Sequence, residues 1–292
     1  MTLDHLFHDA VQAIDAGDVA SLERLLDAHP ALVRDRLDAP GSWLRDVVGN
    51  ALDRFFARPY LLWFVAEDPV RHGTLPPNIA AVAGVIIAAA KRVPVASLQE
   101  QLDYALRLVA WSWIARECGV QIDLIDVLVD AGANPAGFPD DALVNHNFAA
   151  AAHLVARGAP LTLATALSLE RWDDARQLLP QTNPRARQFA FILTALNGRP
   201  EGLRIMIDAG VDIHAVSQDL YSHAPALHHA VWSGSLEAVQ VLVAAGGDLK
   251  RTDSIYDGTP LGWADHAMRE HARGPEEQQR YRAIVAYLEG LE

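Results

Sequence analysis

The chain has 292 residues, of which 51% are hydrophobic, and its formal net charge is −13. An acidic chain lacks the clustered cations that a phosphate backbone needs, so we expect no nucleic-acid partner. The single cysteine, Cys118, excludes an intrachain disulfide and a cysteine zinc cluster.

The first residues of the chain, MTLDHLFHDA, are acidic and amphipathic and do not resemble a signal peptide. Arginine outnumbers lysine 22 to 2, which is typical of proteins from GC-rich genomes. We therefore expect a bacterial protein located in the cytoplasm. The most apolar run, residues 79–90, is shorter than the roughly 20 residues that a spanning helix needs, so it predicts a buried helix and no membrane partner.

A recurring apolar pattern predicts pairs of stacked helices along the chain. An apolar residue is followed by apolar residues three and four positions later, as at Leu22, Leu25 and Leu26, which places all three on one helical face. Copies begin at residues 22, 83, 125, 151, 175, 203, 239 and 284. A second helical run, often ending near a glycine, precedes each copy, so the unit is helix, turn, helix. Neighbouring units must stack to bury their apolar faces.

The segment between the first two copies is too long for one unit and predicts an insertion at about 34–78. Residues 42–58 are expected to form a helix, and residues 67–78 are expected to form a loop because they are rich in turn-forming residues. The predicted apolar side of the inserted helix consists of Leu44, Val47, Leu52 and Phe55.

The spacing of the later copies predicts where loops can project. Copies between 125 and 203 start 24 to 28 residues apart, and two short helices with their turns use about 24 to 26 residues. Wider gaps follow, so we expect fingers at 211–224 and 247–258. The last copy predicts a terminal helix over 275–289. Glycines expected at helix ends, with positive φ, are Gly132, Gly158, Gly210 and Gly246.

The stretch YDGTPLGWADH, residues 256–266, has the features of a helix start. Thr259 can cap the helix with its hydroxyl, and Pro260 suits the first helical position. Together with ALHHAVWSGSLEAVQVLVAAGGDL, the segment GTPLGWA resembles ankyrin repeats. The match is clear over 224–267, degenerate over 1–33 and 120–210, and hardly visible over the atypical insertion 34–75. Gly262 departs from the family pattern, which has histidine there.

The resemblance implies an all-α fold, an ankyrin-like helical repeat solenoid with short β-hairpin fingers only toward the C-terminus. It also implies that residues 1–292 form a single solenoid domain whose concave face binds proteins, without catalytic residues. By the family's pattern, the expected partner-binding residues are Tyr221, His229, Trp232, Tyr256, Trp263 and His266. For each tryptophan, packing between neighbouring repeats is the alternative.

These observations favour a non-catalytic protein-interaction module, monomeric, that binds a partner through its C-terminal repeats. The acidity favours a partner with a basic surface. An alternative is a small-ligand binder or enzyme with a pocket between the N-terminal insertion and the groove. A third hypothesis is a scaffold that only spaces other molecules. An open groove would favour the first, and an enclosed polar cavity the second.

No metal, cofactor or enzyme motif is predicted. The pairs His5 with His8 and His228 with His229 have no third ligand at a recognisable spacing, and H-E-x-x-H is absent. The chain also contains no G-x-S-x-G, phosphate loop or dinucleotide fingerprint. His228 is instead expected to hold the turn between repeats by a hydrogen bond.

Overall fold

The computed structural model describes residues 2–291, in which the regular elements are helices and no strand occurs. The chain divides into two compact units, Met1–Pro160 and Leu161–Glu292. That the two form the single solenoid domain expected over 1–292 stays a prediction. Within the described residues, no helix combines the length and the apolar character that crossing a bilayer requires.

The first unit is built from two layers of helices. Its α-helices are α1 (Leu3–Asp15), α2 (Val19–Ala28), α3 (Ala31–Arg34), α4 (Ser42–Val48), α5 (Ile79–Arg92), α6 (Leu98–Trp111), α7 (Trp113–Glu117), α8 (Gln121–Ala131), α9 (Phe138–Val144) and α10 (Phe148–Ala156). One layer stacks α2, α5, α8 and α10 in succession. The other layer stacks α1, a 3-10 helix at Leu61–Ala66, α6 and α9. This is the succession of helical pairs that the apolar pattern predicts.

The second unit repeats the same arrangement. Its α-helices are α11 (Leu163–Ser168), α12 (Trp172–Leu178), α13 (Pro184–Leu196), α14 (Pro200–Asp208), α15 (Ala226–Trp232), α16 (Leu236–Ala244), α17 (Pro260–His266) and α18 (Pro275–Glu289). Helices α11, α13, α15 and α17 stack in one layer, while α14, α16 and α18 stack in the other. A π-helix at Ala267–His271 continues directly from α17. The terminal helix has the predicted bounds.

Local chemistry sets the helix ends as the sequence predicts. The Thr259 hydroxyl accepts a hydrogen bond from the backbone N–H of Gly262, and Pro260 opens α17. Thr162 and Ser235 cap α11 and α16 in the same way. All four predicted helix-end glycines have positive φ, between 77° and 115°. Many of the predicted apolar positions lie in the core, with relative exposures of 2% or less at Leu22, Leu128, Leu154, Met206, Leu242 and Leu288.

The inserted helix predicted over 42–58 is wrong in its length. Helix α4 stops after about two turns, because Gly49 adopts φ 50° and ψ −127°, which lies outside the right-handed helical region. A 3-10 helix, Gly49–Asp53, follows it. The loop predicted over 67–78 is present.

The break at Gly49 also changes which side chains are buried. Leu44 is buried as predicted, but Val47 is 51% exposed and Phe55 is 45% exposed, while Phe56 is buried in place of Phe55. The predicted apolar side assumed one continuous helix over residues 42–58. The break at Gly49 rotates the residues that follow it, so different side chains face the core. The residues that fill the core instead come from the fully buried 3-10 helix at Leu61–Ala66.

The β-hairpin fingers expected toward the C-terminus are also wrong, because residues 211–225 and 247–259 contain no strand. A hairpin needs a ladder of backbone hydrogen bonds. The second loop has one such bond, from Asp253 N–H to the Gly258 carbonyl at 3.0 Å, and one bond from Ser254 N–H to the His223 carbonyl at 2.9 Å. The backbone N–H groups of Ile255, Tyr256 and Gly258 donate to the Asp253 side chain, so they add no ladder bonds.

Candidate functional site

Eight aromatic and imidazole side chains of the second unit lie in one cluster, which we call the aromatic cluster. They come from the loop before α15, from α15 itself, from the loop before α17, and from α17 with its π-helical extension. The members are Tyr221, His223, His229, Trp232, Tyr256, Trp263, His266 and His271. The six residues named from the sequence are therefore brought together, along with two histidines that the sequence reasoning missed.

Trp263, half-buried on α17, is the centre of the cluster. Its indole stacks on the His223 ring, with centroids 5.8 Å apart and planes inclined by 29°. The same indole makes edge contacts with His229 at 6.0 Å and with Trp232 at 5.9 Å. Such aromatic pairs each contribute about 0.5–1.5 kcal/mol beyond their buried area. Both tryptophans thus pack on neighbours and still reach solvent.

Two buried histidines of α15 support the cluster from below. The His228 Nε2–H donates to the Gly258 carbonyl at 3.1 Å, which confirms its predicted role at the turn between repeats. His229 is 2% exposed, and its Nε2–H donates to the Ala224 carbonyl at 3.2 Å. Burial, assisted by the charge of His223, lowers the pKa of His229 to about 3, and burial also lowers the pKa of His228. Both rings are therefore neutral at pH 7.

Asp253 closes the loop that precedes α17. Its Oδ1 accepts the backbone N–H groups of Ile255 at 2.9 Å and Tyr256 at 2.7 Å. Its Oδ2 accepts the N–H of Gly258 at 3.0 Å and the indole Nε1–H of Trp263 at 2.9 Å. Burial raises the pKa of Asp253, but these four donors outweigh it and lower that pKa to about 2. A charged carboxylate with four partners holds the turn 253–258 in one conformation.

The closed turn presents two apolar side chains to solvent. Ile255 is 63% exposed and Tyr256 is 75% exposed, the two highest values among the large hydrophobic residues that the structure describes as exposed. The His223 ring lies against Tyr256, with centroids 6.3 Å apart. Tyr221, also exposed, stacks on His229 at 5.8 Å. The cluster thus has a buried floor and an exposed tip, which we call the loop tip (residues 255–256).

The far edge of the cluster is formed by Trp232 and two exposed histidines. The Trp232 and His271 rings meet edge to face, with centroids 4.7 Å apart. His271 in turn lies beside His266, with their Nε2 atoms 3.2 Å apart. Tyr281 on α18 donates its hydroxyl to the Trp232 carbonyl at 2.7 Å, which fixes the end of α15 at this edge.

Three residues of this site were missed by sequence reasoning. Asp253 begins the segment DSIYDG, and an aspartate at the start of a turn that ends in Asp-Gly is a recognisable loop-closing signal. His223 and His271 have no such local signal, because their partners are distant in sequence or lie across the π-helix. Their place in the site follows only from the tertiary structure.

A second polar cluster lies in the first unit and contains Asp15, Glu67 and His72, whose ligand atoms are close enough to share a cation. The Arg71 guanidinium stands among them, with Nη2 2.7 Å from Asp15 Oδ1 and 2.8 Å from Glu67 Oε2. Glu67 Oε1 already accepts the backbone N–H groups of Arg71, His72 and Gly73. The Arg71 guanidinium bridges both carboxylates and offsets one of their two negative charges, so this cluster is a structural ion-pair network.

Comparison with known proteins finds matches among solved structures. No family model matches the chain, and no curated protein matches it. Among solved structures, the chain is similar to the ankyrin repeat domain of human ASB11, with 16% sequence identity and a TM-score of 0.33. The match covers 72% of this chain and 97% of that chain. The likeness is to an ankyrin-like helical fold alone and does not indicate which residues act.

Proposed function

We propose that this chain is a non-catalytic protein-binding module that holds a partner protein through the aromatic cluster of its second unit. The observation that carries the proposal is the loop tip, where Asp253 fixes a turn that exposes Ile255 and Tyr256. Large apolar side chains in a conformation fixed by four hydrogen bonds lose little entropy when a partner covers them. Aromatic anchors of this kind dominate the energy of many protein interfaces.

The side chains of the aromatic cluster also differ in how far they are exposed to a partner. Tyr221 and Tyr256 are exposed, Trp232 and Trp263 are half-buried, and His229 lies beneath them. The two tryptophans offer large faces that are already positioned by their neighbours. We propose that the tyrosines and Ile255 make the first contacts and that the tryptophans form the centre of the covered area.

We propose that the partner presents a basic surface around an apolar patch. The net charge of the chain is −13, and the exposed carboxylates of Asp257 and Glu270 lie next to the loop tip and within the π-helix, respectively. Affinity should then weaken as salt is raised, because exposed charges are screened within about 10 Å at 0.1 M ionic strength. A monomeric, cytoplasmic module with no nucleic-acid or membrane partner fits this proposal.

The test compares two double variants of similar chemistry. The full chain, immobilised, retains a partner from a lysate of its native cells, and the purified partner is then titrated in solution. Ile255→Ser with Tyr256→Ser should weaken binding about tenfold or more, because interface hot spots cost over 1.4 kcal/mol when removed. Val47→Ser with Phe55→Ser, which removes exposed apolar side chains of the first unit, should leave affinity unchanged.

Either of two results overturns the proposal. One is a loop-tip variant that binds as tightly as the original chain. The other is a capture experiment in which the loop-tip variant retains every protein that the original chain retains. Circular dichroism should show the same unfolding temperature for all three proteins, because the substituted side chains are exposed.

A further inference from the structure

His266 and His271 bring two imidazole nitrogens together at the edge of the aromatic cluster. Their Nε2 atoms are 3.2 Å apart, and the rings are inclined by 65° with centroids separated by 5.0 Å. Both side chains are exposed to solvent. Two imidazole nitrogens at this distance share either a proton or a metal ion.

The π-helix is what makes this approach possible. Residues five apart on an α-helix point about 140° away from each other, so their side chains lie on different faces. In the segment Ala267–His271, the backbone N–H of Ala272 instead donates to the Ala267 carbonyl at 3.0 Å, a bond that spans five residues. This wider turn brings His266 and His271 to the same side. Single π turns are frequent at functional sites.

We propose that His266 and His271 form a two-histidine site for a divalent transition-metal ion of the kind that prefers imidazole, such as Cu²⁺ or Zn²⁺. Imidazole nitrogen binds such ions at about 2.0–2.1 Å. Two nitrogens at that distance and 3.2 Å apart subtend an angle of about 100° at the ion. That angle lies between the values of square-planar and tetrahedral coordination, so the spacing of the nitrogens already suits a metal.

The proton balance of binding is simple. In the metal-free chain, one Nε2–H donates to the other Nε2. When the metal binds, the donating ring carries its proton on Nδ1 instead, so both Nε2 lone pairs reach the ion without a net loss of protons. Both rings are exposed and can turn to face the ion. Water completes the coordination, as at sites that keep open positions.

His228, His229 and His72 lack this freedom. His228 and His229 each use Nε2 to donate to a backbone carbonyl. His72 shares its neighbourhood with the Arg71 guanidinium, which repels a cation. The site also goes against the expectation, drawn from sequence spacing, that no metal is bound. It does not depend on the proposed partner binding.

The test titrates Cu²⁺ alone into the full chain and follows both heat and tryptophan fluorescence. The original chain should bind one more equivalent of Cu²⁺ than His266→Gln or His271→Gln, because each variant keeps a single imidazole at the site. His214→Gln, which removes an exposed histidine elsewhere in the second unit, is the matched control and should bind as the original chain does.

Trp232 reports where the ion sits, because its ring lies 4.7 Å from that of His271. The variant Trp232→Phe should keep the same affinity but lose part of the quenching that Cu²⁺ causes. Zn²⁺ should raise the unfolding temperature of the original chain and not that of the histidine variants, since a ligand that binds only the folded state stabilises it. Either substitution removes one of the two proposed ligands, so each variant alone tests the metal site. Binding curves that coincide for the original chain, His266→Gln and His271→Gln overturn the proposal.

Discussion

The indole Nε1–H of Trp263 donates a hydrogen bond to the Asp253 carboxylate at 2.9 Å and so ties the first turn of α17 to the loop before it. The same carboxylate accepts three backbone N–H groups of that loop. Loop, helix and aromatic cluster therefore share one buried acceptor. A substitution at Asp253 should therefore lower the free energy of unfolding and also shift the position of the loop tip.

We predict that Asp253→Asn lowers the free energy of unfolding by about 1–3 kcal/mol, the usual cost of leaving buried hydrogen-bonding groups unsatisfied. The amide –NH₂ cannot accept the bonds that Gly258 N–H and the Trp263 indole now donate to Oδ2. Urea denaturation measures the loss. Asp257→Asn in the same turn is the control. Its side chain is exposed, and asparagine tolerates its φ of 54°. Equal effects of the two substitutions would contradict the assigned role.

We predict that His229 makes the free energy of unfolding fall as pH is lowered from 7 to 5. The pKa of His229 is about 3 against an ordinary value near 6.5. The unfolded chain therefore binds the extra proton first, and stability that is complete above pH 6.5 is lost as pH falls toward 3. Between pH 7 and 5 this amounts to about 2 kcal/mol. The lowered pKa of His228 acts in the same direction.

Urea unfolding at several pH values tests this dependence. The groups that face His229 are Tyr221, His223, His228 and Trp263. His229→Gln should flatten the profile between pH 7 and 5, whereas His214→Gln, an exposed control, should not. Asp253 acts only between about pH 4 and 2, because its pKa is low. Burial raises the pKa of Asp68 to about 6, so Asp68 adds stability as pH falls from 7 to 5, equally in all three proteins. Parallel profiles for the original chain and His229→Gln would refute the prediction.

We predict that Glu67→Gln destabilises the chain by about 1–3 kcal/mol, because an amide –NH₂ replaces the buried carboxylate oxygen that faces the Arg71 guanidinium, and two donors then meet without an acceptor. Glu67 is 1% exposed, and Arg71 Nη2 lies 2.8 Å from its Oε2. Glutamate and glutamine at position 67 have the same backbone cost at φ 51°. The substitution therefore measures the side-chain interaction alone. Thermal unfolding should show no comparable loss for Glu23→Gln, an exposed site on α2.

We predict that Gly198→Ala costs more than Gly210→Ala. Both glycines have positive φ, 62° and 77°, so both variants lose about 1–2 kcal/mol from backbone conformation alone. A Cβ at 198 would lie 2.8 Å from Ser235 Cβ and 2.9 Å from Ser233 Oγ, whereas one at 210 meets no atom within 4 Å. The extra cost, measured by urea denaturation, should be about 1 kcal/mol or more. Equal losses would show that the turns do not pack closely.

Much of the helical architecture could be predicted from the sequence, because helices are specified locally. The i, i+3, i+4 pattern placed Leu128 and Leu242 in the core, and Thr259 with Pro260 marked the start of α17. The errors arose where local pattern was ambiguous. The segment Leu61–Ala66 is apolar at every position, so it has no period to read, and Gly49 ends a helix whose apolar pattern continues beyond it.

The sequence by itself determined the helical pairs, their caps and the glycine turns, because each depends on residues a few positions apart. Only the tertiary structure decided how Asp253, His223 and Trp263 meet, since loop conformation depends on which acceptors its amides find. It also decided the pairing of His266 with His271, because a π turn changes which side chains share a face. Side chains that are far apart or out of helical phase acquire their chemistry from packing, and no short-range pattern records it.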